Sequence, residues 1–149
     1  MYKRQGPANI QALELLRLLA PRYRGWEQYQ SRMHAIQEKL PVAHDKLREA
    51  MQARLNRDRE AVAIAMRDEQ SAQRYARKLL HRLSQSLAFA LLCETASDAQ
   101  RSGNPVPAHS AWRYFEEIEP PAFGMEDDNA RRGVLELLKD EALHSANVI

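Results

Sequence analysis

The chain has 149 residues, of which 44% are hydrophobic and 28% are charged, and its formal net charge is +2. This length suits one domain, or a fragment of one, that buries a core of its own. No apolar run reaches the ~20 residues that a membrane-spanning helix needs, so we expect no membrane partner. The single cysteine, Cys93, excludes an internal disulfide, and its apolar neighbours predict a buried thiol in a cytoplasmic protein.

Charge is divided unevenly along the chain. Residues 1–82 contain 17 Lys or Arg and 9 Asp or Glu, a net charge of +8, whereas residues 83–149 contain 5 and 11, a net charge of −6. Such a division is expected either from ion pairing between the two halves, which is the commoner case, or from a basic face that binds a polyanion.

Apolar residues recur at helical spacing through the first hundred residues, and no segment predicts a strand. We expect the first four helices over about residues 8–20, 25–40, 42–66 and 71–99. Pro21 and Pro41 end the first two. The apolar pattern of the third drifts around residues 56–58, which indicates a bend or a break there.

The run 101–108 contains Gly103, Pro105 and Pro107 and is expected to interrupt the helices. A short helix should follow, with Ser110 as its N-cap. We expect this short helix to end at residues 119–121 and a loop to follow at 123–125. A last helix should span about residues 129–143, and the tail after it should be frayed. The predicted fold class is therefore all-α, a bundle of five to six helices, with 6–100 as the main bundle helices and 101–149 as the breaker loop plus short helices.

The segment Gly6–Arg17, with the sequence GPANIQALELLR, has the features of a turn that leads into a helix. Gly6 gives the backbone freedom, Pro7 fixes φ near its helical value, and Asn9 can cap the first turn. The apolar residues of this helix then form one stripe, namely Ile10, Leu13 and Leu16.

This segment resembles the motif Glu-Gly-x-x-Asn/Gln-Ile/Val-x-Ala-Leu-x-x-Leu-Arg, which lies late in the flavin-dependent acyl-CoA dehydrogenases. The closest version belongs to the branch that contains the alkylation-response flavoproteins. The resemblance implies the C-terminal helical domain of an FAD oxidoreductase that assembles as a dimer or tetramer. It also implies that Gly6, Asn9 and Gln11 lie at the edge of the flavin site, although Pro7 replaces the Thr or Ser usual in the family. Over the rest of 6–149 the resemblance is only general.

In the family the residue before this glycine is a catalytic glutamate, which removes the proton α to the thioester carbonyl of an acyl-CoA while hydride passes from the β-carbon to the flavin. Here that position is Gln5. Residues 1–5, MYKRQ, resemble the translated end of a sequencing-library adapter, so we expect the native sequence to begin at or near Gly6. A native N-terminus is the alternative. No residue of this chain is assigned a catalytic role, and we expect the chain to be inert by itself and to hold no FAD stably.

A second hypothesis is duplex DNA binding by a basic surface, which the resemblance to the alkylation-response branch favours. Its candidate residues are cations of the third and fourth helices: Arg67, Arg74, Arg77, Lys78 and Arg82. Three of these have the spacing i, i+4, i+8 and could neutralise several phosphates. Acidic residues interleave with them (Asp58, Glu60, Asp68 and Glu69), so a solvated face with intrahelical ion pairs is the alternative.

A third hypothesis is a purely structural oligomerisation domain. The aromatic groups Tyr23, Trp26, Tyr29 and Trp112, Tyr114, Phe115 have helical spacing and are expected in the core or in a subunit contact rather than in a stacking platform. The five histidines are scattered and pair with no cysteine, so no metal site is expected.

Overall fold

The computed structural model describes the backbone of residues 6–118 and the side chains of residues 9–118. All of these belong to the first of two units into which the chain divides, Met1–Glu119. The predictions made for residues 1–5 and for residues 119–149 lie outside the described residues.

Five α-helices account for most of the described chain. They are α1 (Gly6–Leu19), α2 (Gly25–Lys39), α3 (Asp45–Ala65), α4 (Glu69–Gln100) and α5 (Val106–Ile118). Single 3₁₀ turns, Pro21–Tyr23 and Val42–His44, precede α2 and α3. The described residues contain no strand, and the predicted all-α bundle is confirmed. None of the described helices is both long and apolar enough to cross a membrane.

Helix α4 is the longest element, at 32 residues, and it packs against each of the other four helices. Pairs between α3 and α4 show that these two helices run antiparallel, because Arg54 contacts Ser86 and Asp58 contacts Arg82. After the turn at 101–103 the chain folds back as α5, which packs Phe115 against Phe89 of α4 at 5.2 Å between ring centroids.

The core lies around the C-terminal half of α4. Its buried side chains come from four helices: Met33 and Ile36 of α2, Leu47, Met51 and Leu55 of α3, Phe89, Ala90, Cys93 and Ala96 of α4, and Ala111 and Ile118 of α5. Cys93 is fully buried, which confirms the predicted burial of its thiol, and this burial raises the pKa of the thiol to about 12. At the surface, Glu94 of α4 binds Arg32 of α2 at 2.7 Å, so ion pairing between the two halves of the sequence does occur.

Two helix starts differ from their predictions. Helix α4 begins at Glu69, two residues early, because the carboxylate of Asp68 caps it by accepting the Ser71 N–H at 2.7 Å. Helix α5 begins at Val106, so the prediction of Ser110 as N-cap is wrong. Proline is tolerated in the first turn, where an N–H has no intrahelical partner, and Pro107 lies there. The Val106 N–H donates instead to the Asn104 side chain at 3.1 Å.

The predicted break in the third helix is also wrong. Helix α3 continues through residues 56–58, and the 3₁₀ turn before it moves its start from Val42 to Asp45. The apolar pattern drifts because two of its core-facing positions are occupied by charged residues, Arg54 and Asp58, both of which are buried.

Candidate functional site

A group of polar side chains lies between α2, α3 and α4, and we call it the buried polar cluster: Tyr29, Arg54, Asp58, Arg82 and Ser86. Four of its members are buried and Tyr29 is half-buried. Asp58 lies at its centre and is 0% exposed. One carboxylate oxygen accepts the Tyr29 hydroxyl at 2.8 Å, and the other accepts Nε of Arg82 at 3.0 Å. The cluster therefore joins three helices through one carboxylate.

Arg54, also 0% exposed, extends the buried polar cluster to α5. Its Nε donates to the Ser86 hydroxyl at 2.7 Å and its Nη1 to the Ile118 carbonyl at 2.9 Å. The remaining nitrogen, Nη2, is buried and has no hydrogen-bond partner among the described residues. Ser86 in turn donates to the Arg82 carbonyl at 3.1 Å, within α4.

The electrostatics of the cluster favour positioning over acid–base chemistry. Two guanidinium groups surround one carboxylate, and burial lowers the pKa of Arg54 while Asp58 opposes that shift. Burial, assisted by the charge of Asp58, raises the pKa of Tyr29 above its usual range. Its hydroxyl therefore stays protonated and acts as a fixed donor to Asp58.

The ring of Tyr29 also lines an open cleft between α1, α2 and α4, with a volume of about 320 Å³, which we call the leucine cleft. Its apolar walls are the side chains of Leu15, Leu18, Leu19, Leu80, Leu83 and Leu87. The other lining residues are Gly25, Gln28 and Ser84, so none of the charged residues that the structure describes lines it. The buried polar cluster thus lies directly behind one wall of an apolar cleft.

The corner between α1 and α2 shapes one end of this cleft. Arg24 has φ of +54°, the left-handed conformation that only glycine adopts without cost. A Cβ atom on the next residue, Gly25, would lie 2.4 Å from the carbonyl oxygen of Leu18. A side chain is therefore excluded at Gly25, and the two helices approach closely there.

Two of the three residues of the apolar stripe predicted for the first helix face away from the rest of the described chain. Ile10 and Leu13 are 63% and 57% exposed, Leu16 is half-buried, and Ala12 is the buried residue among the described side chains of this helix. The apolar residues that line the leucine cleft lie on other sides of α1. Large apolar side chains that are exposed on one helix form a candidate contact surface, so this outward face is the first functional candidate.

The predicted flavin-edge residues are placed at the start of α1. Gly6 is the first residue of the helix, so the predicted turn residue is already helical. Asn9 and Gln11 are both exposed. Because they are two residues apart, their side chains are separated by about 200° around the helix axis. Helix α1 therefore does not bring them to one face.

The predicted DNA-binding residues are divided by the structure. Arg67 is exposed and binds Asp68 at 3.1 Å, and Arg74, Arg77 and Lys78 are exposed on α4. Arg82 is 5% exposed and its guanidinium is paired with Asp58, so its predicted place in a surface row is wrong. The position is core-facing because residues at i, i+3 and i+7 along this stripe, such as Leu79 and Ser86, are buried with it.

Most of the aromatic residues pack against the core, which is one of the two positions predicted for them. Trp26 stacks on Tyr29 with 5.4 Å between centroids, and Trp112 packs against Phe115 at 5.6 Å. All four pack against the core. Tyr23 lies instead beneath the guanidinium of Arg22, 4.4 Å from its ring centroid.

Sequence reasoning missed the buried polar cluster, although a signal for it was present. In α3 the core-facing positions Leu47, Met51 and Leu55 recur every four residues, and Asp58 follows three residues later. Asp58 therefore lies on the same helical stripe. Arg82 and Ser86 continue the stripe of α4 in the same way. Charges of opposite sign on two core-facing stripes indicate a buried ion pair between them.

The described residues contain no group of three or more His, Cys, Asp or Glu that could hold a metal ion. What the arrangement offers is therefore an outward apolar helix face, an apolar cleft and a rigid polar cluster behind it. Each of these can bind or position a partner, and none presents an activated nucleophile. No protein-family model, no curated protein and no solved structure matches this chain.

Proposed function

We propose that this chain is an assembly domain, the C-terminal helical domain of an acyl-CoA dehydrogenase-like FAD oxidoreductase, in which α1 packs against another subunit. The observation that carries the proposal is the exposure of Ile10 and Leu13 on the helix that bears the family resemblance. Burying two large apolar side chains of this kind stabilises a contact by roughly 1.5–3 kcal/mol each.

The composition of α1 supports a covered position. Within residues 10–20, only Gln11, Glu14 and Arg17 are polar, and the last two form an exposed ion pair with 2.8 Å between Nη2 and Oε2. A helix that exposes large apolar side chains beside its polar ones is stabilised when a second surface covers them. The described chain supplies such a surface on one side, through α4, and leaves the other open.

The flavin part of the proposal depends on the same helix. Gly6, Asn9 and Gln11 lie in its first half, so a cofactor at the edge of the parent's site would meet the end of α1 where the helix dipole is positive. The catalytic base would come from residues of the parent preceding Gly6. We place the domain in the cytoplasm, because a buried thiol such as Cys93 is typical of reducing compartments.

The assembly proposal is tested by replacing both outward residues with charges, as Ile10→Glu/Leu13→Glu. Light scattering of the full chain should report a dimer or tetramer for the unchanged protein and a monomer for the double variant, with equal helicity by circular dichroism. Val106→Glu is the matched control, because Val106 is as exposed as Ile10, at 63%, but lies on α5. A wild-type chain that is monomeric at every concentration would contradict the proposal.

The flavoprotein parent is tested separately at the level of the gene. In the genomic DNA, the codon immediately before that of Gly6 should encode a glutamate. The sequence upstream of that codon should encode the body of a flavoprotein. The chain itself should reduce no dye with acyl-CoA substrates, because it supplies no base for the α-proton. An upstream stop codon or an unrelated fold would remove the family assignment and leave the assembly result intact.

A second candidate function is duplex DNA binding, and the exposed face of α4 favours it. Arg74, Arg77, Lys78 and His81 have the spacing i, i+3, i+4, i+7 and are all exposed. Between Glu69 and Glu94 this helix has no acidic residue. Burial of Asp58 removes one of the carboxylates that the sequence had placed among these cations.

Retention on duplex DNA at low salt, lost as salt rises, is the expected behaviour of this face. The variant Arg74→Ala/Arg77→Ala/Lys78→Ala should reduce the slope of log affinity against log salt by about 2 to 3, since each phosphate contact contributes about 0.9. Arg22→Ala/Lys46→Ala/Arg101→Ala removes the same charge from other exposed positions and should change the slope much less. Equal losses in both variants would exclude a defined α4 interface.

A further inference from the structure

We propose that the leucine cleft is a binding site for a small uncharged apolar molecule that carries a hydrogen-bonding group. Its volume of about 320 Å³ falls at the lower end of the range of roughly 300–1,000 Å³ found for small-molecule pockets. Its floor includes Leu83, which is buried, while Leu18 lies near the surface at 46% exposure. The cleft therefore has depth as well as an entrance.

The lining determines the class of ligand. Six leucines and the Tyr29 ring offer only apolar contacts, and the Tyr29 hydroxyl is already engaged by Asp58. The polar side chains left for a ligand are the amide of Gln28 and the hydroxyl of Ser84, both exposed. Because no charged residue of the described part of the chain lines the cleft, a charged group would be desolvated there without a counter-charge. An uncharged ligand avoids that cost.

Two sets of contacts hold the walls of the cleft in place. Here the α1–α2 corner is held by the close approach of Gly25 to Leu18, and the Tyr29 ring is held from behind by Asp58 and Arg82. A preformed site of this kind binds without a large ordering cost.

The cleft is separate from the surface assigned to assembly. Its α1 contributions are Leu15, Leu18 and Leu19, whereas assembly was assigned to Ile10 and Leu13. Ligand binding should therefore persist in the Ile10→Glu/Leu13→Glu variant. The two proposals can fail independently of each other.

The test is a fluorescence titration of the full chain with two matched probes. N-phenylnaphthylamine is uncharged and carries one N–H donor, and anilinonaphthalene sulfonate has the same skeleton with an added anion. The neutral probe should bind saturably with one site per chain, at least about tenfold more tightly than the anion. Tighter binding of the anion would overturn the assignment of an uncharged ligand, and no saturable binding of either probe would overturn the site.

A variant that fills the cleft locates the binding. Ser84→Phe places a ring at the edge of the cleft from an exposed position and should weaken the neutral probe by about tenfold or more. Gln73→Phe adds the same ring to an exposed position of α4 that does not line the cleft, and should bind like the unchanged chain. Equal affinity in the two variants would overturn the proposal.

Methyl NMR of the unchanged chain locates the bound probe without depending on whether a variant folds. The neutral probe should shift the methyl signals of Leu15, Leu83 and Leu87, which line the cleft. The methyls of Leu47 and Leu55, in the core against α4, should stay unchanged. Shifts confined to other residues would place the probe elsewhere and reject the leucine cleft as its site.

Discussion

At the scale of single residues, the buried polar cluster is the feature that departs most from an ordinary helical core. Asp58 is the buried carboxylate among the described residues, and two buried guanidinium groups depend on it for charge balance. Replacing buried ion pairs by apolar residues is often neutral, but removing one partner leaves an uncompensated charge. The cluster is therefore sensitive to single substitutions at its centre.

We expect Asp58→Asn to lower the free energy of unfolding by about 3–5 kcal/mol, because the amide keeps the shape of the side chain and loses its charge. Tyr29→Phe, which removes one neutral donor to the same carboxylate, should cost only about 1–2 kcal/mol. Urea denaturation followed by circular dichroism measures both. A loss below about 1 kcal/mol for Asp58→Asn would show that the cluster tolerates the missing charge.

At the scale of elements, the starts of α4 and α5 are fixed by side-chain hydrogen bonds, whereas α2 and α3 begin without a side-chain cap. Asp68 accepts the Ser71 N–H at the start of α4 and is bonded by Nε of Arg67 at 3.1 Å. The backbone hydrogen bond, followed by the contact with Arg67, lowers the pKa of the Asp68 carboxyl below its usual range. The part of the stabilisation that corresponds to this lowered pKa is present only while the carboxylate is ionised.

The cap should therefore give α4 a pH-dependent stability. Its contribution is fully present above the unfolded pKa of about 3.9 and is lost as pH falls through the lower folded value. Asp68→Ala should be less stable than the unchanged chain at neutral pH and nearly equal to it in strong acid, by thermal unfolding. Asp68→Asn keeps a capping oxygen but has no charge, so at neutral pH it should lose only the ionisation-dependent part of the stabilisation and should show no such loss with falling pH. A difference between Asp68→Ala and the unchanged chain that grows on acidification would contradict this assignment.

At the scale of the whole molecule, α4 is the helix through which the others are joined. It contacts all four remaining helices of the described chain, and its C-terminal half supplies Phe89, Ala90, Cys93 and Ala96 to the core. Because the helices meet at α4 and pack little elsewhere, a cavity on its buried side weakens several packing contacts at once.

Phe89→Ala should lower the free energy of unfolding by about 3–5 kcal/mol, since Phe89 is fully buried and packs on Phe115 of α5. Leu91→Ala is the matched control on the same helix, because Leu91 is 45% exposed. It should change stability by less than about 0.5 kcal/mol. Chemical denaturation of both variants measures the contrast, and similar losses would show that burial along α4 does not determine stability.

Local sequence determined where most helices lie. Helix α2 begins at Gly25 and ends shortly before Pro41, almost as predicted. The apolar run around Cys93 correctly indicated a buried segment of α4. These features depend on residues close in the chain, because helical periodicity, proline and capping act over one or two turns. Misplaced starts at α3, α4 and α5 arose from turns and caps only a few residues long.

Tertiary structure alone decided which side of each helix faces the core. Arg74 and Arg82 have the same side-chain chemistry and lie on one helix, yet Arg74 is exposed and Arg82 is buried against Asp58 of another helix. In the same way, Ile10 and Leu13 were expected as part of an apolar stripe, and the described chain leaves them outward. The partner of a side chain is set by residues distant in sequence, whose positions no local pattern contains. The local sequence was therefore sufficient to predict the helices. The leucine cleft and the buried polar cluster could not be predicted from it, because both form only where α1, α2, α3 and α4 pack together.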